Sequence, residues 1–147
     1  MIRSLGATAL ASHETKKESE IPLSGPNIVL MVADDMGYGD FGLYSEGRVH
    51  TPALDELASQ GIRLTQHYAG SAVCSPSRAA LLTGRYPIRT GAVTPQEVLG
   101  NDRIALDEAT IADSFKSAGY ATGMVGKWHN GALDPRFHPN ARGFDEF

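Results

Sequence analysis

The 147-residue chain is long enough to bury a hydrophobic core, and its 41% apolar and 20% charged residues are ordinary for a soluble globular protein. Its formal net charge of −4, without any block of Lys and Arg, argues against a nucleic-acid-binding surface. The longest uninterrupted apolar run, residues 28–33, is far too short to cross a membrane.

Residues 1–26 are predicted to be a leader and linker that precede the folded part. An apolar stretch over residues 5–11 follows Arg3 and ends in Ala9-Leu10-Ala11, which is a weak match to a secretory signal with an Ala-x-Ala cleavage site. A disordered leader without a signal is the alternative. Residues 12–26 are polar and contain two prolines, which is typical of a linker.

Residues 27–147 are predicted to form the folded part, beginning with a strand over Asn27–Ala33. From Ile28 onward this run is apolar throughout, which predicts a strand that is buried on both faces. A glycine-rich loop follows it. A helix is then predicted from Pro52 to Gln60, with Gly61 ending it, and a second strand over Ile62–Tyr68.

A second helix is predicted directly after Cys74. Ser75 is expected to cap it, Pro76 suits its first position, and Gly84 is expected to end it. Residues 86–106 look irregular because prolines and glycines interrupt them.

The last predicted elements are a helix and a strand. Thr110 and Asp113 form a capping-box pattern for a helix through Ala118, and Tyr120–Val125 is predicted to be a strand. Alternating strands and helices favour an α/β fold with a largely parallel sheet. Active sites of such folds gather at the carboxyl ends of strands, where residues 34–35 and 127–129 are expected.

Three groups of side chains suggest chemistry. Cys74 is the only cysteine, and a helix N-terminus is a suitable place for a nucleophile that acts on an anion. The carboxylates of Asp34 and Asp35 are the oxygen ligands that Ca²⁺ or Mg²⁺ prefers. Lys127 and His129 supply a cation and a base, and in an extended chain they point the same way. The alternatives are a buried inert cysteine, two solvated aspartates, a surface lysine and a packed histidine.

The sequence around Cys74 resembles the signature of the type I sulfatases, a branch of the alkaline phosphatase superfamily. Residues 74–78 read Cys-Ser-Pro-Ser-Arg and match the Cys-x-Pro-x-Arg pattern, while residues 82–85 match the Leu-Thr-Gly-Arg that follows it. The Asp-Asp-Met-Gly-Tyr-Gly-Asp of residues 34–40 and the Gly-Lys-Trp-His of residues 126–129 resemble two further segments of that family. Asn130-Gly131 departs from the Leu-Gly found in many members.

The resemblance implies the fold, the site and the cofactors. It implies the N-terminal part of an alkaline-phosphatase-like α/β/α sandwich over residues 27–147. A modifying enzyme, the formylglycine-generating enzyme, is expected to oxidise Cys74 to formylglycine. Asp34, Asp35 and position 74 are expected to bind Ca²⁺, or less readily Mg²⁺, and Arg78, Lys127 and His129 to complete the catalytic site.

The resemblance also implies hydrolysis of a sulfate monoester, either a small molecule or a sulfated glycan. One hydroxyl of the hydrated aldehyde attacks sulfur, and the second hydroxyl, with His129 as base, then expels sulfate. Arg78, Lys127 and the cation neutralise the oxygens around sulfur. Family members are often exported, so a periplasmic or secreted location is favoured.

Two other functions stay open at this point. Some relatives with formylglycine hydrolyse phosphate or phosphonate monoesters on the same scaffold. The chain also lacks the C-terminal Asp-Asn pair and further Lys and His residues of the family, which is consistent with a truncated, non-catalytic fragment. The 147 residues alone are therefore expected to be poorly soluble or partly ordered, and inactive on an aryl sulfate.

Overall fold

The computed structural model describes residues 25–96, 100–131 and 133–147 of the chain. Its α-helices in these ranges are α1 (Pro52–Gln60), α2 (Cys74–Thr83) and α3 (Ile111–Ser117). Single turns of 3₁₀-helix lie at Tyr38–Asp40, Gly42–Tyr44, Pro87–Arg89, Pro135–Phe137 and Pro139–Ala141. The helices in the described ranges are all too short to span a bilayer. The predicted leader over residues 1–26 lies almost entirely outside the described residues.

Helix α1 has the predicted bounds, whereas α2 begins one residue earlier than the capping pattern implies. Val73 precedes α2 in an extended conformation, so Ser75 lies inside the first turn instead of capping it, and Pro76 occupies the third helical position. A proline there is tolerated because the first-turn N–H groups have no partner within the helix. Gly84 ends α2 as predicted: its φ of 67° is left-handed, and its N–H donates to the Ala80 carbonyl at 2.8 Å.

Helix α3 confirms the predicted capping box. The Thr110 hydroxyl accepts from the Asp113 N–H at 3.2 Å, and the Asp113 carboxylate accepts from the Thr110 N–H at 2.8 Å. The helix ends at Ser117, one residue before the predicted end at Ala118, and Ala112 is its buried residue.

A small hydrophobic core joins α2 to the segment that follows α3. Its buried residues are Ala79, Leu82, Ala92, Ile104 and Trp128, and the half-buried side chains of Met124 and Phe144 pack against them. Trp128 is anchored because its indole N–H donates to the Phe137 carbonyl at 2.9 Å. This core therefore fixes the position of α2 relative to the residues on either side of Trp128.

The strands predicted at residues 27–33 and 62–68 are wrong, because neither run is hydrogen-bonded to a partner strand in the described part of the chain. Residues 27–33 are extended but form no ladder with the described part of the chain, and Val29 and Met31 are 80% and 72% exposed. Residues 62–68 turn at positions 65 and 66 and are also exposed. A strand that is buried on both faces needs neighbouring strands and a covering layer on each face. The described residues supply neither of these to the two runs.

The third predicted strand, Tyr120–Val125, is reduced to one parallel bridge between Gly123 and Glu146. The Met124 N–H donates to the Glu146 carbonyl at 3.0 Å, and the Asp145 N–H donates to the Thr122 carbonyl at 2.8 Å. Next to the bridge, the Asp145 carboxylate accepts from the Lys116 ammonium at 2.5 Å and from the Thr122 N–H at 2.9 Å. The bridge and these hydrogen bonds therefore hold residues 145–146 beside residues 122–124, which lead to Lys127.

The acid titration of Asp145 follows from these contacts. The Lys116 ammonium, followed by the Thr122 N–H and hydroxyl, lowers the pKa of Asp145 from 3.8 to about 2. Because the folded pKa is depressed, the ionised carboxylate stabilises the fold above pH 3.8, and this contribution is lost as the pH falls through about 2. Lys116→Met removes the largest cause, so we expect the Asp145 titration midpoint to move back toward 3.8 in an NMR titration of its carboxyl carbon. An unchanged midpoint would contradict the assignment.

Candidate functional site

Arg78 on α2 joins the ends of two apolar runs that are distant in sequence. One arm of its guanidinium, Nη2, donates to Asp34 Oδ1 at 2.9 Å, and the other, Nη1, donates to the Lys127 carbonyl at 2.6 Å. The Lys127 ammonium closes the group by donating to Asp34 Oδ2 at 3.0 Å. Three of the residues predicted from separate motifs therefore form one charged cluster.

The electrostatics of this cluster favour its charged forms. Hydrogen bonds, first from Arg78 and then from Lys127, lower the pKa of the Asp34 carboxyl below its ordinary value. The hydrogen bond to Asp34 in turn raises the pKa of the Lys127 ammonium. Asp34 therefore stays an anion, and Lys127 stays a cation, over the whole neutral range.

Cys74 lies one helical turn before Arg78, so both side chains project from the same side of α2. The thiol is half-buried and forms no disulfide. Because Arg78 donates both to Asp34 and to the Lys127 carbonyl, the helical face that carries Cys74 also carries the side chain that holds the cluster together. The position predicted to carry the nucleophile therefore borders the charged cluster.

Asp35 occupies a different environment from Asp34. It is exposed and has a φ of 56°, a left-handed conformation that aspartate tolerates better than most residues. The chain turns sharply here as it leaves the extended run. The loop that follows is stabilised by Asp40, whose carboxylate accepts from the Gly37 N–H at 2.8 Å. Asp40 thus has a local structural role in this loop.

His129 departs from the expectation that its side chain and that of Lys127 point the same way. Its φ of 54° interrupts the extended backbone on which that expectation rested. The ring turns to Pro95 instead, and Nε2 lies 2.8 Å from the Pro95 carbonyl oxygen. A carbonyl only accepts, so Nε2 carries the proton. Nδ1 is then the free ring nitrogen, and it is buried without a hydrogen-bond partner among the described residues.

A cleft of about 550 Å³ runs beside the charged cluster. Its walls are the extended run up to Asp34 and residues 120–128, and side chains of α2 and α3 also line it. The charged groups lining it in the described residues are Asp34, Arg78 and Lys127, so one carboxylate faces two cations. The lining therefore carries one net positive charge inside a largely apolar wall, an arrangement that favours an anion.

Sequence reasoning missed the role of Ser75. Its side chain is fully buried, and its hydroxyl donates to the Asp102 carbonyl at 2.6 Å. This bond pins the first turn of α2, and with it Cys74, to the irregular segment over residues 100–106. A serine next to a proline at a helix start indicates a cap equally well, so the sequence carried no signal for this contact.

The donor chemistry at this site fits a hard divalent cation. Asp34 provides a carboxylate at the cluster and is held ionised, and the exposed Asp35 is the next residue of the chain. Two carboxylates supply fewer than the roughly six to eight oxygens that Ca²⁺ takes. The described residues bring no group of three or more His, Cys, Asp or Glu side chains together for a metal. The assignment of Asp34, Asp35 and Cys74 as its ligands stays a prediction.

Comparison with known proteins identifies the family. The Sulfatase family profile matches residues 26–147. The chain is 49% identical over 132 residues to N-acetylgalactosamine-6-sulfatase of Sus scrofa, covering 83% of this chain and 25% of that protein. It is 47% identical over 136 residues to arylsulfatase H of Canis lupus familiaris, covering 84% and 24%. Steryl-sulfatase of Rattus norvegicus is 44% identical over 137 residues, covering 86% and 24%. The chain thus spans about a quarter of the length of these relatives.

Solved structures agree with this result. The crystal structure of Ps i-CgsB superposes with a TM-score of 0.75 and 42% identity, covering 82% of this chain and 27% of that one. The same protein in complex with k-i-k-neocarrahexaose superposes with a TM-score of 0.71 and 40% identity, covering 78% and 25%. The resemblance drawn from the three motifs is confirmed, and the chain belongs to the sulfatase family.

Proposed function

We propose that this chain forms the nucleophile-bearing part of a sulfuric ester hydrolase that cleaves sulfate monoesters. The observation that carries the proposal is the Asp34–Arg78–Lys127 cluster, one helical turn from Cys74, in a chain of the sulfatase family. A sulfate monoester needs fixed positive charge around its oxygens, and the cleft supplies a net positive charge within an apolar wall.

The fold and cofactors belong to the same proposal. An alkaline-phosphatase-like α/β/α sandwich with a largely parallel sheet is supported by the superposition on solved relatives. We propose Ca²⁺ before Mg²⁺ at Asp34 and Asp35, because exposed carboxylates on a loop suit the flexible coordination of Ca²⁺. Conversion of Cys74 to formylglycine would supply a hydrated aldehyde as nucleophile, which requires a modifying enzyme as partner.

The residues of this chain have separate tasks in the reaction. Arg78 is held at the cluster by the Lys127 carbonyl, so its guanidinium is oriented before an anion arrives. Lys127 adds a second cation on a more exposed side chain. If His129 acts as the base, it does so through Nδ1, since Nε2 donates its proton to Pro95. The buried Ser75 hydroxyl positions the first turn of α2.

The substrate class that we propose is a sulfated glycan or another small sulfate ester. One structural relative was solved in complex with k-i-k-neocarrahexaose. The relatives in sequence are named N-acetylgalactosamine-6-sulfatase, steryl-sulfatase and arylsulfatase H. We also propose export to the periplasm or outside the cell, which the Ala-x-Ala pattern at residues 9–11 supports.

A chimera tests the activity directly. Residues 26–147 replace the matching segment of porcine N-acetylgalactosamine-6-sulfatase, and the product is expressed with the modifying enzyme and supplied with Ca²⁺. We expect release of the phenol from an aryl sulfate, with much slower turnover of the aryl phosphate. The 147-residue chain alone is expected to give none, because its described residues bring together too few metal ligands. A folded, formylglycine-bearing chimera without turnover would support a non-catalytic role, and a preference for phosphate would reverse the assigned reaction.

A further inference from the structure

Residues 128–131 form a tight loop between two fixed positions. The Trp128 indole N–H donates to the Phe137 carbonyl at 2.9 Å. Gly131 approaches the same residue so closely that a Cβ atom on it would lie 2.6 Å from the Phe137 Cβ. Two residues of the loop are left-handed, Gly131 with a φ of 103° and His129 with a φ of 54°. Glycine adopts this conformation freely, whereas in histidine it costs free energy, so other contacts must hold the His129 backbone.

The side chain of Asn130 supplies a contact that spans His129. Its Nδ2 donates to the Trp128 carbonyl at 3.2 Å, and the residue is only 1% exposed. The ring of atoms that this hydrogen bond closes includes the N–Cα and Cα–C bonds of His129, so the bond restrains both backbone dihedral angles of that residue. Leucine, which many family members have at this position, has no donor for such a bond. The Asn130 amide is therefore a feature of this chain that restrains the left-handed turn.

The turn also decides which ring nitrogen of His129 is free. The left-handed backbone directs the ring to Pro95, whose carbonyl oxygen lies 2.8 Å from Nε2. Because a carbonyl only accepts, this contact keeps the proton on Nε2 and leaves Nδ1 able to accept one. An extended backbone would instead point the His129 side chain the same way as that of Lys127. The turn thus selects both the direction of the ring and its tautomer.

We propose that Asn130 is a positioning residue for His129: its amide holds the left-handed turn and thereby presents Nδ1 as the basic nitrogen. The role of His129 as base belongs to the proposed function, on which this inference rests, but the tautomer is a property of the folded chain. Without the Asn130 bond, the strained His129 backbone relaxes and the contact with Pro95 weakens. Both tautomers are then populated, and a ring with its proton on Nδ1 cannot accept a proton there.

NMR of the 147-residue chain with ¹⁵N-labelled histidine tests the tautomer without relying on activity. Under conditions where the ring is neutral, the wild type should show His129, assigned from its loss in His129→Gln, as the Nε2–H tautomer. In Asn130→Ala, the two ring-nitrogen shifts should move toward those of a mixture of tautomers. Asn130→Asp is a second variant if the alanine variant leaves a cavity that prevents folding, because it keeps the side-chain size and its ionised carboxylate has no hydrogen to donate.

The chimera supplies a kinetic measurement of the same effect. In Asn130→Ala we expect kcat to fall by up to about 100-fold, the cost of a slightly misplaced catalytic group. KM should stay nearly unchanged, because no contact with the substrate is lost. A residue that serves stability alone would lower the unfolding temperature without separating kcat from KM in this way.

Asn140→Ala is the matched control. The Asn140 side chain also donates to backbone carbonyls, those of Phe144 and Asp145, but it lies on the exposed surface. Its removal should leave both the His129 tautomer and kcat as they are in the parent.

Three results would overturn the inference. They are an Nε2–H tautomer that persists in both Asn130 variants, a wild-type His129 that already populates both tautomers, and an equal loss of kcat in Asn140→Ala. A chimera without any turnover would contradict the proposed function instead, because the NMR result does not depend on hydrolysis.

Discussion

Cys74→Ala is expected to abolish sulfate ester hydrolysis by the chimera while leaving its fold intact. Among the described residues, the side chains of the cluster are a carboxylate, a guanidinium and an ammonium, and none of them is a comparable nucleophile. Removing the nucleophile of a hydrolase typically costs about 10⁴-fold or more in turnover. The side chain is half-buried and small, so we expect a loss of only about 1 kcal/mol in the free energy of unfolding. Turnover of an aryl sulfate and thermal unfolding check both parts.

Ser77→Ala is the control for this substitution. Ser77 lies on α2 between Pro76 and Arg78, at a position that the Cys-x-Pro-x-Arg pattern leaves free, and alanine favours a helix. It should keep both turnover and formylglycine. Mass spectrometry of the peptide around position 74 should show the control lighter than the unmodified thiol by about 18 Da, a covalent modification. An active preparation in which the thiol is wholly unmodified would contradict the proposed nucleophile.

Asp35→Asn is expected to lower metal content and turnover of the chimera together. The substitution removes one negative ligand but preserves the size of the side chain, and asparagine tolerates the left-handed backbone at φ 56°. Alanine would add backbone strain to the loss of the ligand. Substitution of a residue that only supports a metal ligand costs about 10- to 100-fold, so loss of the ligand itself should exceed about 100-fold. Elemental analysis and the aryl sulfate assay measure the two effects on one preparation.

Asp40→Asn is the matched control, because it changes a carboxylate in the same loop. Asp40 accepts a hydrogen bond from the Gly37 N–H, and an amide oxygen accepts that bond equally well. Metal content and turnover should therefore stay near those of the parent. Equal metal content in the Asp35 and Asp40 variants would remove Asp35 from the proposed metal site.

The helices were largely predictable because their signals are local. The proline at position 52, the capping box of Thr110 and Asp113 and the left-handed Gly84 each act within one turn, and the structure has the corresponding helices. The strands were not predictable in this way, because a strand forms only where the chain supplies a partner strand that pairs with it. Residues 27–33 have the composition of a buried strand, yet no described residue pairs with them.

The residue types of the site, and its family, followed from the sequence by itself. Short motifs, whose chemistry is set by side-chain type, contain Cys74, Arg78, the aspartate pair and Lys127. These residues were therefore recognisable without coordinates. What only the tertiary structure decided is which of these groups meet. Arg78 fixes its two arms on Asp34 and on the Lys127 backbone, whereas a left-handed backbone turns the His129 ring to Pro95. These contacts join residues 34 to 49 positions apart, and side-chain type carries no information about such distances.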